Sequence, residues 1–482
     1  MNKYYLTTAI PYVNAKPHVG HALEFVQADV IKRFRKSLGE EVLLLSGADE
    51  NAIKNVQAAE KEGVEVQKFL DTHSKEFEDL AKALNIEFDV FQRGSSRVHH
   101  QASQKLWELC QHDIYKKEYT GLYCVGCELF YEKSELDENG QCFEHPGKPL
   151  EEVSETNYFF KLSKYEKQIK DLIDSDKLKI YPQYRKNEVL GFLKEGLKDI
   201  SISRSNKRAK NWGVPVPDDD NQRMYVWFDA LNIYQSGIGF NSNEQEYKKW
   251  WPADLHVIGK GIIRFHAIYW PAFLLSAGLA LPNALFVHGY FTVNGQKMSK
   301  TIGNVIDPIE IINKYGVDSL RYYLLSENSP FSDGDFSVEK LEKVYNSDLA
   351  NGLGNLVSRV SKLCENAAFK QFASPRAIHL IDIYGDYKKL LEEFRFNEAL
   401  ALIWNKISKL DKFINDEKPW ELLKVSSNHK GKDLNSLLAH SVDQIYEIAA
   451  LLSPFLPETS DKIQKQFSKA EIKSGDALFP RI

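Results

Sequence analysis

A strand-like stretch, Tyr4 to Ala9, runs through a turn bearing Pro11, Asn14 and Pro17 into His18-Val19-Gly20-His21, and this junction constrains the fold more than any other segment. Leu23, Val26, Val30 and Phe34 follow at helical spacing. A helix start offers unpaired N–H groups and a favourable dipole to phosphate. Gly20 lets a planar ligand approach the backbone, with two imidazoles beside it. Far downstream, Lys297-Met298-Ser299-Lys300-Thr301 sets two lysines around a serine, a charge pattern suited to a triphosphate.

The alternation continues. Glu41–Leu45 reads as a second buried strand, and the intervening helix carries its charges outward. Strands alternating with helices predict a parallel sheet covered by helices, with ligands beyond the strands' C-terminal ends. No GxGxxG follows the first strand, which excludes the usual dinucleotide site. Strand character returns at Met224–Asp229, Leu255–Ile258 and Leu285–Val287, and these segments are expected to complete the sheet. After Ser337 the pattern becomes helical, as at Leu349, Leu353, Leu356, Val360 and Leu363, and predicts a helix bundle.

A length of 482 residues accommodates roughly three domains. The formal charge of -5 argues against indiscriminate nucleic-acid binding. A local basic face remains open, and Arg204, Lys207, Arg208 and Lys210 form one candidate. The first residues lack the apolar core of a signal peptide. Ile268–Val287 is the most membrane-like stretch, but Pro271, Gly278, Pro282 and Asn283 make it a buried helix, a turn and a buried strand. Five cysteines in so long a chain do not form a disulfide scaffold, so a cytoplasmic protein without a membrane anchor is expected.

Cys124-x-x-Cys127 followed by Cys142-x-x-His145 can set three thiolates and an imidazole around one ion. That soft, redox-silent set suits zinc, and four protein ligands leave no position for substrate, so the metal is expected to be structural. Cys110 and Cys364 stand apart as helix-packing residues. His99-His100 and Trp250-Trp251 read as exposed helix and loop-packing residues, without chemistry.

The paired signatures at 18–21 and 297–301 resemble those of class I aminoacyl-tRNA synthetases. More specifically, the chain resembles the methionyl-tRNA synthetase family, in its short bacterial form, over nearly its whole length. The stretches 7–14, 121–128, 201–204, 225–230, 257–260, 287–290, 318–323 and 415–420 carry that resemblance together with the two signatures.

The resemblance implies an α/β fold: a Rossmann-like parallel sheet, an inserted connective domain with a zinc knuckle, and a C-terminal α-helical anticodon-binding bundle. Its expected boundaries are 1–115 and 223–336 for the two catalytic halves, 116–222 for the insertion and 337–482 for the bundle. It implies ATP-dependent activation of methionine and transfer to tRNA, with magnesium travelling on the ATP. His18, His21, Lys297 and Lys300 would be catalytic. Gly20, Glu24, Gly259, His288, Gly289 and Ser299 would join the lysines in binding ATP. Ala9, Ile10, Tyr12, Asp49, Trp227, Ala230, Tyr234, Phe265, His266 and Trp270 would form the methionine pocket. Asn355, Arg359 and Trp420 would read the anticodon, and Cys124, Cys127, Cys142 and His145 would hold zinc. A monomer is expected, because no β-rich module of the dimeric relatives follows.

Three positions depart from the family pattern: Asn51 stands for a histidine, Gly261 for an aspartate and Thr301 for a serine. Loss of the carboxylate at 261 is expected to remove an ionic partner of Arg204. Alternative readings are a paralogue with altered amino-acid or acceptor specificity, and a non-catalytic tRNA-binding relative.

Overall fold

The computed structural model describes residues 2–482 apart from 125–128, 132–135, 143–146, 148, 294, 299–302, 372–384 and 424–432. At 129, 130 and 297 only the backbone is described.

Strand β1 (Lys3–Thr7) pairs in parallel with β2 (Glu41–Ala48), which pairs with β3 (Val90–Arg93). Between the first two lies α1 (Val19–Ser37), opening on the His18 junction and closing with Arg35 and Lys36 at its negative end. Helix α2 (Val66–Ala83) precedes β3, and α3 (Arg97–Cys110) follows it. An insertion then forms a long antiparallel hairpin of β4 (Ile114–Cys124) and β5 (Glu151–Phe160), registered from Ile114↔Phe160 to Tyr123↔Glu151.

The chain rejoins the main sheet through β6 (Lys179–Tyr181), β7 (Leu255–Gly259) and β8 (Ala284–His288), giving the parallel order β3-β2-β1-β7-β8-β6. The order reverses between β1 and β7, which opens a crevice beyond their C-terminal ends. Period-two alternation feeds two cores: Leu6, Leu44, Val257 and Phe286 lie in one, and Tyr5, Leu43, Ile258 and Leu285 in the other. Full burial of each such side chain stabilises by about 1.5–3 kcal/mol.

Met224–Asp229 does not extend this sheet. Met224 pairs antiparallel with Ser203 in a small separate sheet, and the chain then turns into α4 (Val226–Ala230). All five residues of α4 are buried, so a short buried helix reads in sequence like a buried strand. The Ile268–Val287 stretch forms α5 (Trp270–Ala277), closed by Gly278 at φ 68°, and then β8. No described helix is long and apolar enough to cross a membrane.

Helix α6 (Val317–Ser326) leads into the helical C-terminal part, which includes α7 (Asn355–Asn366), α8 (Phe396–Glu417), α9 (Leu434–Leu452) and α10 (Pro457–Phe467).

Candidate active site

His18 caps α1 with extended backbone, φ −135° and ψ 174°. Its Nδ1 accepts from Gly20 N at 3.1 Å, and its own N–H donates to His21 Nδ1 at 3.1 Å. Each ring therefore holds its proton on Nε2. The rings lie 4.0 Å apart. Burial lowers the His18 pKa to about 4, and burial together with His18 lowers that of His21 well below the usual value. Both are neutral donors at pH 7. A Cβ at Gly20 would come within 2.8 Å of His18 Cε1, so a side chain there would displace the His18 ring.

One turn into α1, Glu24 Oε1 accepts from Ala9 N at 2.7 Å, and Oε2 meets His288 Nε2 at 2.8 Å. Glu24 thus joins the ends of β1 and β8. Around it lies a cavity of about 480 Å³ at the sheet's switch point. Its lining brings together Ala9, Ile10, Tyr12, His18, Gly20, His21, Glu24, Trp227, Gly259, Phe265, His288 and Gly289 from the sequence expectation. Met298 also lines it, whereas Ser299, Lys300 and the Lys297 side chain lie outside what is described.

Trp227 and Phe265 stack face to face, with centroids 3.7 Å apart and planes 6° apart. Phe265 begins a π-helical turn, Phe265–Tyr269, a wide geometry often found at functional sites. The other expected pocket residues, Asp49, Ala230, Tyr234, His266 and Trp270, do not line the open cavity and are buried instead. His266 Nδ1 donates to Ile262 O at 2.9 Å, and its Nε2 accepts from Tyr234 Oη at 2.8 Å. Burial lowers its pKa to about 4. Trp270 lies 6.5 Å from the Tyr234 ring. Asp49 is bridged to Tyr12 through the backbone.

Sequence reasoning missed Lys54, whose Nζ lies 3.3 Å from the Tyr12 ring centroid on the cavity wall. It also misread His99, which is fully buried. Its Nδ1 meets Ser236 Oγ at 2.9 Å, and its Nε2 lies 3.5 Å from Asp229 Oδ2. Asn51 joins the same cluster, donating to Asp229 Oδ2 at 2.6 Å and Gly94 O at 2.9 Å. Asn51 is absent from the cavity lining, while Gly261 is part of it. Arg204 lines a neighbouring cavity, beside Tyr225. Residues 204–210 do not form one open basic face: Arg204 is buried, Arg208 lies 3.8 Å from the Tyr123 ring and Lys210 pairs with Glu60.

In the helical part, Asn355 is exposed one turn before Arg359 on α7. Arg359 meets Asp411 at 3.1 Å and Asn415 Oδ1 at 2.6 Å, and lies 4.9 Å from the Trp420 ring. The Arg359 guanidinium, the Asn415 amide and the Trp420 indole thus lie together.

Cys124, at the end of β4, and Cys142 are both buried. The expected partners Cys127 and His145 lie outside the described residues. No metal-binding group of three or more His, Cys, Asp or Glu occurs among the described residues.

The family model for class I tRNA synthetases (M) matches residues 4–361. A methionine–tRNA ligase of Thermotoga maritima is 40% identical over 99% of this chain and 77% of its own length. One from Brucella suis is 39% identical over 96% of this chain and 91% of its length. The Mycobacterium tuberculosis methionyl-tRNA synthetase in complex with methionyl-adenylate superposes with a TM-score of 0.92 at 36% identity, covering 100% of both chains. The apo form of the same enzyme gives 0.84 at 34% identity. Signature junction, switch-point cavity and full-length similarity agree: the chain belongs to the methionine-type class I tRNA synthetases.

Proposed function

We propose that this chain is a methionine–tRNA ligase, activating methionine with ATP and passing it to tRNA. One observation carries the reading: a single cavity joins the His18–His21 end of α1 to the stacked Trp227–Phe265 wall. One end suits phosphate, and the other suits a thioether among aromatic rings.

In the first step a carboxylate oxygen of methionine attacks the α-phosphorus of ATP. The bond to the bridging oxygen breaks, and pyrophosphate leaves with the electron pair. Positioning and charge stabilisation carry such a reaction. His18 and His21, neutral and protonated on Nε2, donate to the phosphate oxygens. Lys297 and Lys300 neutralise the leaving pyrophosphate, Ser299 joins them, and magnesium arrives with the ATP. Gly20, Glu24, Gly259, His288 and Gly289 hold the nucleotide. In the second step a terminal ribose hydroxyl of tRNA attacks the adenylate carbonyl and AMP departs.

Ala9, Ile10, Tyr12, Trp227 and Phe265 contact methionine directly. Asp49 takes its ammonium. Ala230, Tyr234, His266 and Trp270 back the aromatic wall. Asn355, Arg359 and Trp420 read the anticodon. Cys124, Cys127, Cys142 and His145 would hold a zinc ion, which would supply a structural cross-link and no step of the reaction. Burial of the two described thiols fits that assignment, since soft donors shielded from water suit a closed site. Catalytic halves at 1–115 and 223–336, an insertion at 116–222 and a bundle at 337–482 divide the work. The enzyme acts as a cytoplasmic monomer.

Charging of tRNA-Met with labelled methionine tests the reading. ATP-dependent charging that is lost in Lys300→Ala is expected; zinc-loaded, folded protein that charges no tRNA would overturn it.

A further inference from the structure

Beside Glu24 and His288, the cavity wall carries a pair that no role above absorbs: Gly261 and Tyr290. Gly261 N donates to Tyr290 Oη at 2.7 Å. A Cβ on Gly261 would stand 2.5 Å from that oxygen, and one on Gly259 would stand 2.7 Å from Cε1 of the same ring. The phenol therefore lies along the Gly259–Gly261 backbone in a space that exists because neither residue has a side chain. Asp333 fixes the other end of the residue, accepting from Tyr290 N at 3.0 Å while pairing with Lys260 at 2.6 Å. Tyr290, Gly259 and Gly261 all line the cavity, and Tyr290 lies 6.4 Å from His288, which holds Glu24 at 2.8 Å.

Charge decides which part of a ligand meets this wall. The Glu24 carboxylate repels phosphates, which the α1 terminus at His18 and His21 attracts. A neutral, hydroxyl-bearing sugar fits against a carboxylate and a phenol, both of which bond hydroxyls. The wall also lies beyond β7 and β8, on one side of the switch point where nucleotides settle in open parallel sheets.

We propose that the Tyr290 hydroxyl binds the ribose of the nucleotide, and that glycine at position 261 is what seats it there. A side chain at 261 and the phenol in its present place are mutually exclusive. The inference deepens the ligase reading and rests on it only in taking the nucleotide to be ATP.

The test is calorimetric binding of MgATP, 2′-deoxy-ATP and 3′-deoxy-ATP to the full chain, wild type against Tyr290→Phe, Gly261→Ala and the double variant. Loss of one hydrogen bond is expected to weaken MgATP about five- to tenfold in Tyr290→Phe. The preference of the wild type for ATP over at least one deoxy analogue should vanish in that variant. Gly261→Ala should weaken ATP similarly, and the double variant should be no worse than either, because the displaced hydroxyl is already lost. Should Gly261→Ala fail to fold, the near-isosteric Tyr290→Phe decides alone. ATP affinity within twofold of wild type in Tyr290→Phe, a deoxy preference that survives, or multiplying losses in the double variant would each overturn the proposal. Because binding is read without an amino acid, a failure of methionine activation would count against the ligase reading and leave this result standing.

Discussion

Arg321 of α6 meets Asp29 of α1 at 2.7 Å with both side chains closed to solvent. The same guanidinium donates to Leu84 O at 3.1 Å, Pro454 O at 3.0 Å and Phe455 O at 2.8 Å. One side chain thus ties the helix bearing His18 and His21 to the end of α2 and to the turn between α9 and α10. Three residues earlier, Asp318 Oδ2 accepts from Thr459 N in the first turn of α10 at 2.6 Å. Removing one partner of a buried pair strands the other charge. Asp29→Ala is therefore expected to cost about 3–5 kcal/mol in urea unfolding. A loss below about 1 kcal/mol would mean that the backbone carbonyls alone satisfy Arg321.

Acid should loosen the aromatic wall. His266 is fully buried, with a folded pKa of about 4 against an ordinary value of 6.5. A histidine whose folded pKa is depressed stabilises the fold above its unfolded pKa, and this contribution is lost as pH falls through 6.5 towards 4. For His266 it amounts to about 3 kcal/mol. His18 acts in the same direction. Thermal unfolding followed from pH 8 to pH 4 should show the melting temperature falling over that window, with a shallower fall in His266→Gln.

Gly20→Ala forces a methyl group against the His18 imidazole, 2.8 Å from Cε1. The histidine must leave its cap, and the Nε2–H donor moves with it. Activation is expected to fall on the order of a hundredfold, the usual effect of losing one preorganised donor. Steady-state ATP–pyrophosphate exchange, with circular dichroism to verify folding, measures it.

Arg359→Ala removes the cation lying 4.9 Å from the Trp420 ring. On the proposed anticodon role, the expected effect is a loss of about ten- to a hundredfold in kcat/KM for tRNA, the usual effect of losing one stacking and charge contact to an unpaired base. The effect should appear in aminoacylation rather than in ATP–pyrophosphate exchange.

Local patterns carried much of this arrangement in sequence. The strand-to-helix junction at His18, the strands around Leu43 and Val257, and the buried helix–turn–strand at 268–287 were legible because each is a short-range pattern of apolar period and turn residues. Residues whose meaning depends on distant partners were not. His99 looks like a helix-surface residue until α3 packs its imidazole beside Ser236 and Asp229. Asn51 reads as a lost histidine, and only the fold shows its amide on Asp229 and Gly94. Gly261 reads as a lost carboxylate, and only the position of Tyr290 shows what uses that space. The Val226–Ala230 run could not reveal itself as a helix, since burial on all sides erases the period.

Selection of the amino acid is the central claim, and ATP–pyrophosphate exchange with each of the twenty amino acids tests it most directly, using folded, zinc-loaded protein and Lys300→Ala as control. Exchange with methionine alone, abolished in the control, is the expected result; exchange with a different amino acid, or with none, would contradict the account.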